Sequence, residues 1–349
     1  MTVFQDCLRQ QLVDHPSMLS RDVVKLCYQA ACGAEHLLGD LNGAKAYFAE
    51  EFAYVPERDE PLYEWISEDV CRVNLGAWKR TGMPSDWLFR MFTGTVFQSD
   101  GKQKLTEYLD AAEEVLRGAR FDMDAWRIYL TDYKEQGMPA VRHTEQYREA
   151  EQPAYRIVGT QYLKLLPVLQ KVAANDCGKI PYVIAIDGKA GAGKSTVACL
   201  LQKVLDAGMV YMDDFFLPPS MRTKERLAES GGNIHYERFA EQVIPYLRDE
   251  VFSYDVFDCS CMDYNGTQTV EDCAYRIVEG SYSHHPKFGD YMDLRVFVDI
   301  DSKEQMRRIV NRNGEALVKR FQNEWIPMEN QYFDAFQICG NADVVLYNR

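Results

Sequence analysis

Residues 183–196 read Val-Ile-Ala-Ile-Asp-Gly-Lys-Ala-Gly-Ala-Gly-Lys-Ser-Thr. An apolar run of β type enters a glycine-rich turn, and Lys194 and Ser195 open a helical pattern. The spacing from Gly188 to Gly193-Lys194-Ser195 is that of a phosphate-binding P-loop. Glycines at 188, 191 and 193 let the backbone turn tightly and aim its N–H groups inward at phosphate oxygens. The helix that follows adds its positive N-terminal end. Lys194 suits the β- and γ-phosphates of a nucleotide, and the Ser195 hydroxyl suits Mg²⁺. The candidate nucleotide-binding residues are therefore Gly188, Lys189, Ala190, Gly191, Ala192, Gly193, Lys194, Ser195 and Thr196. A strand–loop–helix unit of this kind also fixes the fold class as α/β.

At 349 residues the chain is long enough for two domains. Its formal charge of −14 argues against nonspecific binding to nucleic acid or to an anionic membrane surface. No apolar run approaches the roughly 20 residues that a membrane span needs. The first ten residues lack signal-peptide architecture, so a cytoplasmic location is expected. The ten cysteines are scattered and form no paired Cys-x-x-Cys set, which argues against zinc. Self-association into a homo-oligomer is compatible with these features.

The two halves differ in texture. Residues 1–165 read as a mainly α-helical domain, with apolar residues at helical spacing over 22–32, 44–52 and 105–116. A connecting helix is expected over Tyr162–Val172, and the second domain over residues 175–349. From Pro181 onward strands alternate with helices, the pattern of a parallel sheet flanked by helices. Strands are expected at 183–186, 209–212, 251–256, 274–278, 294–298 and 344–346. Helices are expected to begin near Lys194, Tyr236, Ser302 and Glu315. In such sheets ligands bind outside the carboxyl ends of the strands.

The chemistry expected at those ends is specific. After the second strand comes Tyr211-Met-Asp213-Asp214-Phe215-Phe216. Phosphoryl transfer needs a carboxylate to take the acceptor proton, and Mg²⁺ needs oxygen ligands. Asp213 or Asp214 suits either need. The fourth strand ends in Glu279-Gly280, which places Glu279 as a Walker-B acid beside Mg²⁺. Further on, Arg308 and Arg312 lie four apart on one helical face, and Arg307 points to a neighbouring one. Arginines in such a place stabilise charge on a transferring phosphoryl group.

These stretches together resemble the uridine kinase and phosphoribulokinase-like group of P-loop kinases, which includes nicotinamide riboside kinase. The matching pieces are 186–196, Met212-Asp-Asp-Phe-Phe216, Val278-Glu-Gly280 and a lid helix with Arg307, Arg308 and Arg312. The resemblance covers about residues 180–349. It implies a P-loop NTPase fold and an ATP- and Mg²⁺-dependent transfer to a hydroxyl of a small metabolite. It further implies Asp213 as catalytic base, Lys194 as phosphate clamp, Ser195, Glu279 and Asp213 around Mg²⁺, and Arg308 and Arg312 in the lid. Asp213 aligns with the single aspartate that uridine kinases keep before their aromatic pair. Asp214, Asn233, His235, Tyr254 and Asp258 fall where the group places its acceptor. Uridine kinases usually carry His or Asp where this chain has Asn233-Ile-His235-Tyr-Glu237. The expected acceptor is therefore nucleoside-like or sugar-like rather than uridine itself.

Residues 1–165 carry no familiar enzyme pattern, but polar clusters stand out: Glu35-His36, Arg72-Val-Asn74, Arg142-His143 with Tyr147-Arg148, and Tyr155-Arg156. Histidine, glutamate and arginines gathered in a helical domain are the makings of an anion or nucleotide pocket. The plainer reading is surface ion pairing around a core histidine. A zinc site from Glu35, His36 and His143 requires that they converge. Two readings of function compete with the kinase. One is an ATP-binding switch whose helical domain binds a partner or signal ligand. The other is a bifunctional enzyme with a second pocket in the helical half.

Overall fold

The computed structural model describes residues 2–33, 40–95, 101–175 and 178–348. Contacts divide the chain into two units, Met1–Leu166 and Pro167–Arg349. Among the described residues no helix is long and apolar enough to cross a membrane. Glu35 and His36 lie outside the described residues.

In the first unit, helices α1 (Val3–Asp14), α2 (Ser20–Cys32), α6 (Gly101–Arg117) and α7 (Met123–Glu135) bury an apolar core with Phe4, Leu8, Leu26, Leu109 and Trp126 at its centre. Between α2 and α6 lie α3 (Leu41–Tyr54), α4 (Leu75–Arg80) and α5 (Ser85–Thr93), and α8 (Glu145–Glu151) follows α7. The sequence reading of this half as mainly helical left out a three-stranded antiparallel sheet. Its order is β1 (Tyr63–Trp65), β2 (Val70–Asn74), β3 (Tyr155–Gly159). Every residue of the central strand β2 is buried, including Arg72. A charged residue inside a buried strand hides the apolar run by which such strands are read. The expected connecting helix is a 3-10 turn over Thr160–Leu165 followed by α9 (Leu166–Asn175).

The second unit is built on a five-stranded parallel sheet. The strands are β4 (Tyr182–Gly188), β5 (Gly208–Tyr211), β8 (Tyr275–Glu279), β9 (Leu294–Asp299) and β10 (Val344–Tyr347), in the spatial order β10-β9-β4-β8-β5. Strand β4 is buried at every position, as a parallel strand covered on both faces must be. It is followed by the P-loop and α10 (Lys194–Leu205). Its neighbour β8 pairs in a register that sets Glu279 beside Ile186, and β5 sets Tyr211 beside Glu279. The carboxyl ends of β4, β8 and β5 therefore deliver the P-loop, Glu279 and the Asp213-Asp214 turn to one edge.

Two expectations are corrected here. The strand expected at 251–256 is β6 (Phe252–Asp258), and it does not join the parallel sheet. It pairs antiparallel with β7 (Asp263–Val270) in a separate two-stranded ribbon. Strand β7 is mostly exposed and carries no apolar alternation, so nothing in its pattern announced it. Strand β5 also ends one residue early, because Met212–Phe215 form a 3-10 turn. The remaining helices used below are α11 (Lys224–Ala228), α12 (Tyr236–Gln242), α13 (Ser302–Asn313), α14 (Glu315–Arg320) and α15 (Ile326–Phe336).

Gly188 shows how tightly the P-loop is seated on the sheet. Its φ is +143°, and a Cβ there would lie 2.2 Å from the Val298 carbonyl oxygen of β9. The obstacle is backbone, which cannot swing aside. Gly188→Ala should therefore destabilise the second unit by about 3 kcal/mol or more. Urea unfolding followed by circular dichroism checks this, and a midpoint equal to wild type contradicts the close approach.

Candidate active site

The P-loop opens into a cavity of about 1240 Å³. Ala190, Gly191, Gly193, Lys194, Ser195 and Thr196 line it on the loop side. Lys194 Nζ donates to the carbonyl oxygens of Gly188, at 2.8 Å, and Lys189, at 3.1 Å. This holds the ammonium inside the curve of the loop. The loop is braced from outside by three long-range contacts. Gln305 of α13 donates to Ala190 O at 2.9 Å, and Asn348 donates to Ala192 O at 2.7 Å. Glu329 of α15 accepts the Ala190 N–H at 2.9 Å and the Ser281 hydroxyl at 2.7 Å.

Three of the loop residues expected to bind nucleotide have other surroundings. Gly188 and Ala192 do not line the cavity; Gly188 serves the close approach to β9, and Ala192 is buried. Lys189 turns away from the cavity to pair with Asp299 at 2.7 Å.

Ser195 Oγ donates to Glu279 Oε1 at 3.0 Å. The second oxygen of that carboxylate, Oε2, is buried and has no hydrogen-bond partner among the described residues. Burial pushes the Glu279 carboxyl above its ordinary range and Asp213 adds to this, while the Ser195 bond, Lys194 and Arg312 pull it back. A buried carboxylate oxygen without a partner, beside a serine hydroxyl, fits a hard cation held by few protein oxygens. Among the described residues no group of three or more His, Cys, Asp or Glu side chains could hold a metal alone. Mg²⁺ typically keeps waters and phosphate oxygens as its other ligands.

The two aspartates of the 3-10 turn face different surroundings. Asp213 is exposed and lines the cavity, with no side-chain hydrogen bond among the described residues. Asp214 also lines it, but its Oδ2 accepts the Tyr254 hydroxyl at 3.0 Å. Its carbonyl takes a bond from the Arg238 guanidinium, which lies 4.2 Å above the Phe215 ring. Burial pushes the Asp214 carboxyl up, opposed by Tyr254 and Arg238 and reinforced by Asp213. Asp214 is thus fastened in place, and Asp213 is the carboxylate left to meet a ligand.

On the far side the cavity is lined by Asn233, Asp258 and Asn265, by the apolar Phe216, Leu227, Val256, Phe257 and Met262, and by Phe321, Trp325 and Met328. Arg308 and Arg312 of α13 line it from above, and Arg308 Nε is held by Glu304 at 2.7 Å. Arg307 pairs with the same Glu304 and does not reach the cavity. Two expected acceptor residues do not line it either. His235 caps α12, its ring nitrogen accepting the Arg238 N–H at 3.2 Å. Tyr254 is buried and acts on the cavity only through Asp214 and through the bond that its oxygen takes from the Tyr211 amide.

Residues that motif reading passed over also stand here: Glu329, Ser281 and Asn348 against the loop, and Arg222 and Arg320 on the cavity wall. Ser281 follows the Glu279-Gly280 signal directly and was within reach of it. Glu329 and Asn348 lie too far along the chain for any local pattern to tie them to the loop.

The fold and this loop define a nucleotide-binding domain of the P-loop NTPase class. The relatives it resembles are kinases. The chain is 27% identical over 177 residues to the pantothenate kinase of Klebsiella pneumoniae, a match spanning 43% of this chain and 55% of that one. It is 27% identical over 183 residues to the pantothenate kinase of Halalkalibacterium halodurans, spanning 45% and 55%. The chain thus spans about half the length of the curated relatives it matches. Among solved structures it is similar to a possible uridine kinase from Bacillus stearothermophilus, with 20% identity, a TM-score of 0.36, and coverage of 47% of this chain and 88% of that one. No family model matches the chain.

Glu279→Gln separates the cost of the buried carboxylate from its use. The folded carboxyl has its pKa raised, so its charge is a burden that appears as pH rises through the folded value. Below the ordinary glutamate value both folded and unfolded chains are protonated, and the burden is gone. The amide should therefore raise stability at pH 7 by about 1 kcal/mol. The gain should vanish near pH 4. Thermal melts of both proteins at the two pH values check this, and a less stable variant at pH 7 contradicts it.

Proposed function

We propose that the second unit is an ATP- and Mg²⁺-dependent phosphotransferase that phosphorylates a hydroxyl of a small metabolite. The observation that carries this reading is the placement of Asp213. An exposed carboxylate with no side-chain hydrogen bond among the described residues shares one cavity with Lys194 of the P-loop and with the Ser195–Glu279 pair. A nucleotide switch has no use for such a carboxylate at the acceptor side of the loop. The kinase relatives support the same class of chemistry.

In this reading the loop amides and Lys194 bind the triphosphate tail, and Ser195 and Glu279 hold Mg²⁺. Mg²⁺, when bound, neutralises charge on the phosphate oxygens. Asp213 accepts the proton of the acceptor hydroxyl as its oxygen bonds to the terminal phosphorus and the bridge to the nucleoside diphosphate breaks. Tyr254 and Arg238 fix Asp214, and through it the turn that presents Asp213. Arg308 and Arg312 supply positive charge over the transferring group. The cavity exceeds the 300–1,000 Å³ or so of a typical single-ligand pocket, which leaves room for nucleotide and acceptor together. Its apolar wall with Asn233, Asp258 and Asn265 suits an uncharged polyol, a nucleoside or a pantothenate-like amide alcohol.

ATP consumption with Mg²⁺ across a panel of nucleosides, sugars and pantothenate, with product mass checked, tests the proposal. One acceptor should gain a single phosphate. Lys194→Ala should abolish turnover, and wild-type transfer by that variant contradicts the site. Asp213→Asn should keep ATP affinity and lower transfer by ~10²-fold or more. An unchanged rate removes Asp213 from the base position.

A further inference from the structure

The first unit buries a guanidinium that forms no ion pair with a carboxylate among the described residues, although Glu64 lies close enough to favour its charge. Arg72 lies at the centre of β2 with 3% of its surface exposed. Its Nη1 donates to Gln11 Oε1 at 2.7 Å and its Nη2 to Gln29 Oε1 at 3.0 Å, both neutral acceptors. Its Nε is buried and has no hydrogen-bond partner among the described residues. A buried cation is normally paired, because burying an isolated charge is costly.

The groups around Arg72 are locked rather than free to compensate it. Its guanidinium carbon lies 4.5 Å from the centre of the Tyr155 ring. The Tyr155 oxygen takes a bond from Gln29 Nε2 at 3.0 Å and lies 2.7 Å from His143 Nε2. His143 Nδ1 lies 2.9 Å from Asp22 Oδ1. The carboxylate fixes the proton on Nδ1, so Nε2 accepts the Tyr155 proton. Burial, opposed by the Asp22 bond and aided by Lys25 and Arg72, lowers the His143 pKa to about 4, which keeps the ring neutral. Asp22 is in turn consumed by the Leu19 and Thr144 amides and the Thr144 hydroxyl.

Lys25 stands one turn along α2 from Gln29 and is half-buried. Its only hydrogen bond among the described residues is a 3.5 Å contact to Val141 O. Burial, aided by Arg72, Arg142 and Arg148 and opposed by Asp22, lowers its pKa to about 8. Arg72, Arg142 and Arg148 thus crowd Lys25, which Asp22 opposes, and Glu64 acts on Arg72 with Gln11 bonded to both.

We propose that the first unit binds a small oxyanion, the phosphate or carboxylate group of a metabolite, between Lys25 and Arg72. Arg72 offers its unpartnered Nε–H from the buried side, and Lys25 offers its half-buried ammonium. The Asp22–His143–Tyr155 chain is a positioning device that holds the guanidinium by its face. This site belongs to the first unit alone.

The test is pulsed amine acylation of the full-length chain at pH 8, read peptide by peptide by mass spectrometry, with the exposed Lys134 as internal reference. Inorganic phosphate and malonate are the two probes, against chloride at equal ionic strength. Acylation of Lys25 should slow at least fivefold in one or both probes while Lys134 is unaffected. Slowing by phosphate alone assigns a phosphoryl ligand, and slowing by malonate alone a carboxylate. In Arg72→Met the protection should be lost with Lys25 still reactive. If that variant does not fold, the wild-type comparison stands by itself. Equal acylation in phosphate, malonate and chloride overturns the proposal. So does a Lys25 that never reacts, because a ligand would then have no way in.

Discussion

The carboxylate of Asp187 holds the P-loop edge of the second unit together. It is fully buried at the end of β4 and receives four donors: the amides of Gly188 at 2.7 Å, Tyr282 at 3.2 Å and His284 at 3.1 Å, and the Tyr332 hydroxyl at 2.8 Å. A carboxylate has about four lone-pair sites, and here all are used. A charge this deep persists only when it is fully hydrogen-bonded. Three segments distant in sequence are fastened by it: the start of the P-loop, the loop after β8 that carries Ser281, and α15 that carries Glu329. The position of the loop relative to Glu279 follows from that one junction.

What could be read from the sequence is what local chemistry encodes. The P-loop, the aspartate pair and Glu279 each sit at or just beyond the end of an apolar strand, so strand pattern and motif agreed on their place. The parts that stayed hidden depend on long-range packing. Glu329 reaches Ala190 across 139 positions of chain. Strand β7 is built from polar, exposed residues, and only its pairing with β6 makes it a strand. Tyr254 and His235 look like ligand-facing residues because aromatic and imidazole groups often are, yet one anchors Asp214 and the other caps a helix. In the first unit Arg72 disguised a central strand as a polar loop.

Arginines are held in two ways. On the cavity wall of the second unit, Arg308 is restrained by Glu304, and Arg320 by Glu324 at 3.1 Å. Such exposed pairs contribute little to stability but set where the side chains rest. In the first, Arg72 is restrained by amide oxygens and an aromatic face, which orient it without cancelling its charge. Neutral partners of this kind leave the field of a cation available to something else.

The resting place of Lys194 has a consequence for which anions the loop admits. Its ammonium already satisfies two carbonyl oxygens, at 2.8 and 3.1 Å, so an incoming anion must exceed that internal competitor before it gains anything from the lysine. A lone phosphate brings few oxygens to the exchange. A chain of phosphates engages the loop amides, the helix end and the ammonium at once, and each contact offsets part of the same toll. In the proposed kinase reading the carbonyls act as a threshold, tuning the loop toward polyphosphates and away from the single phosphate groups common to most metabolites.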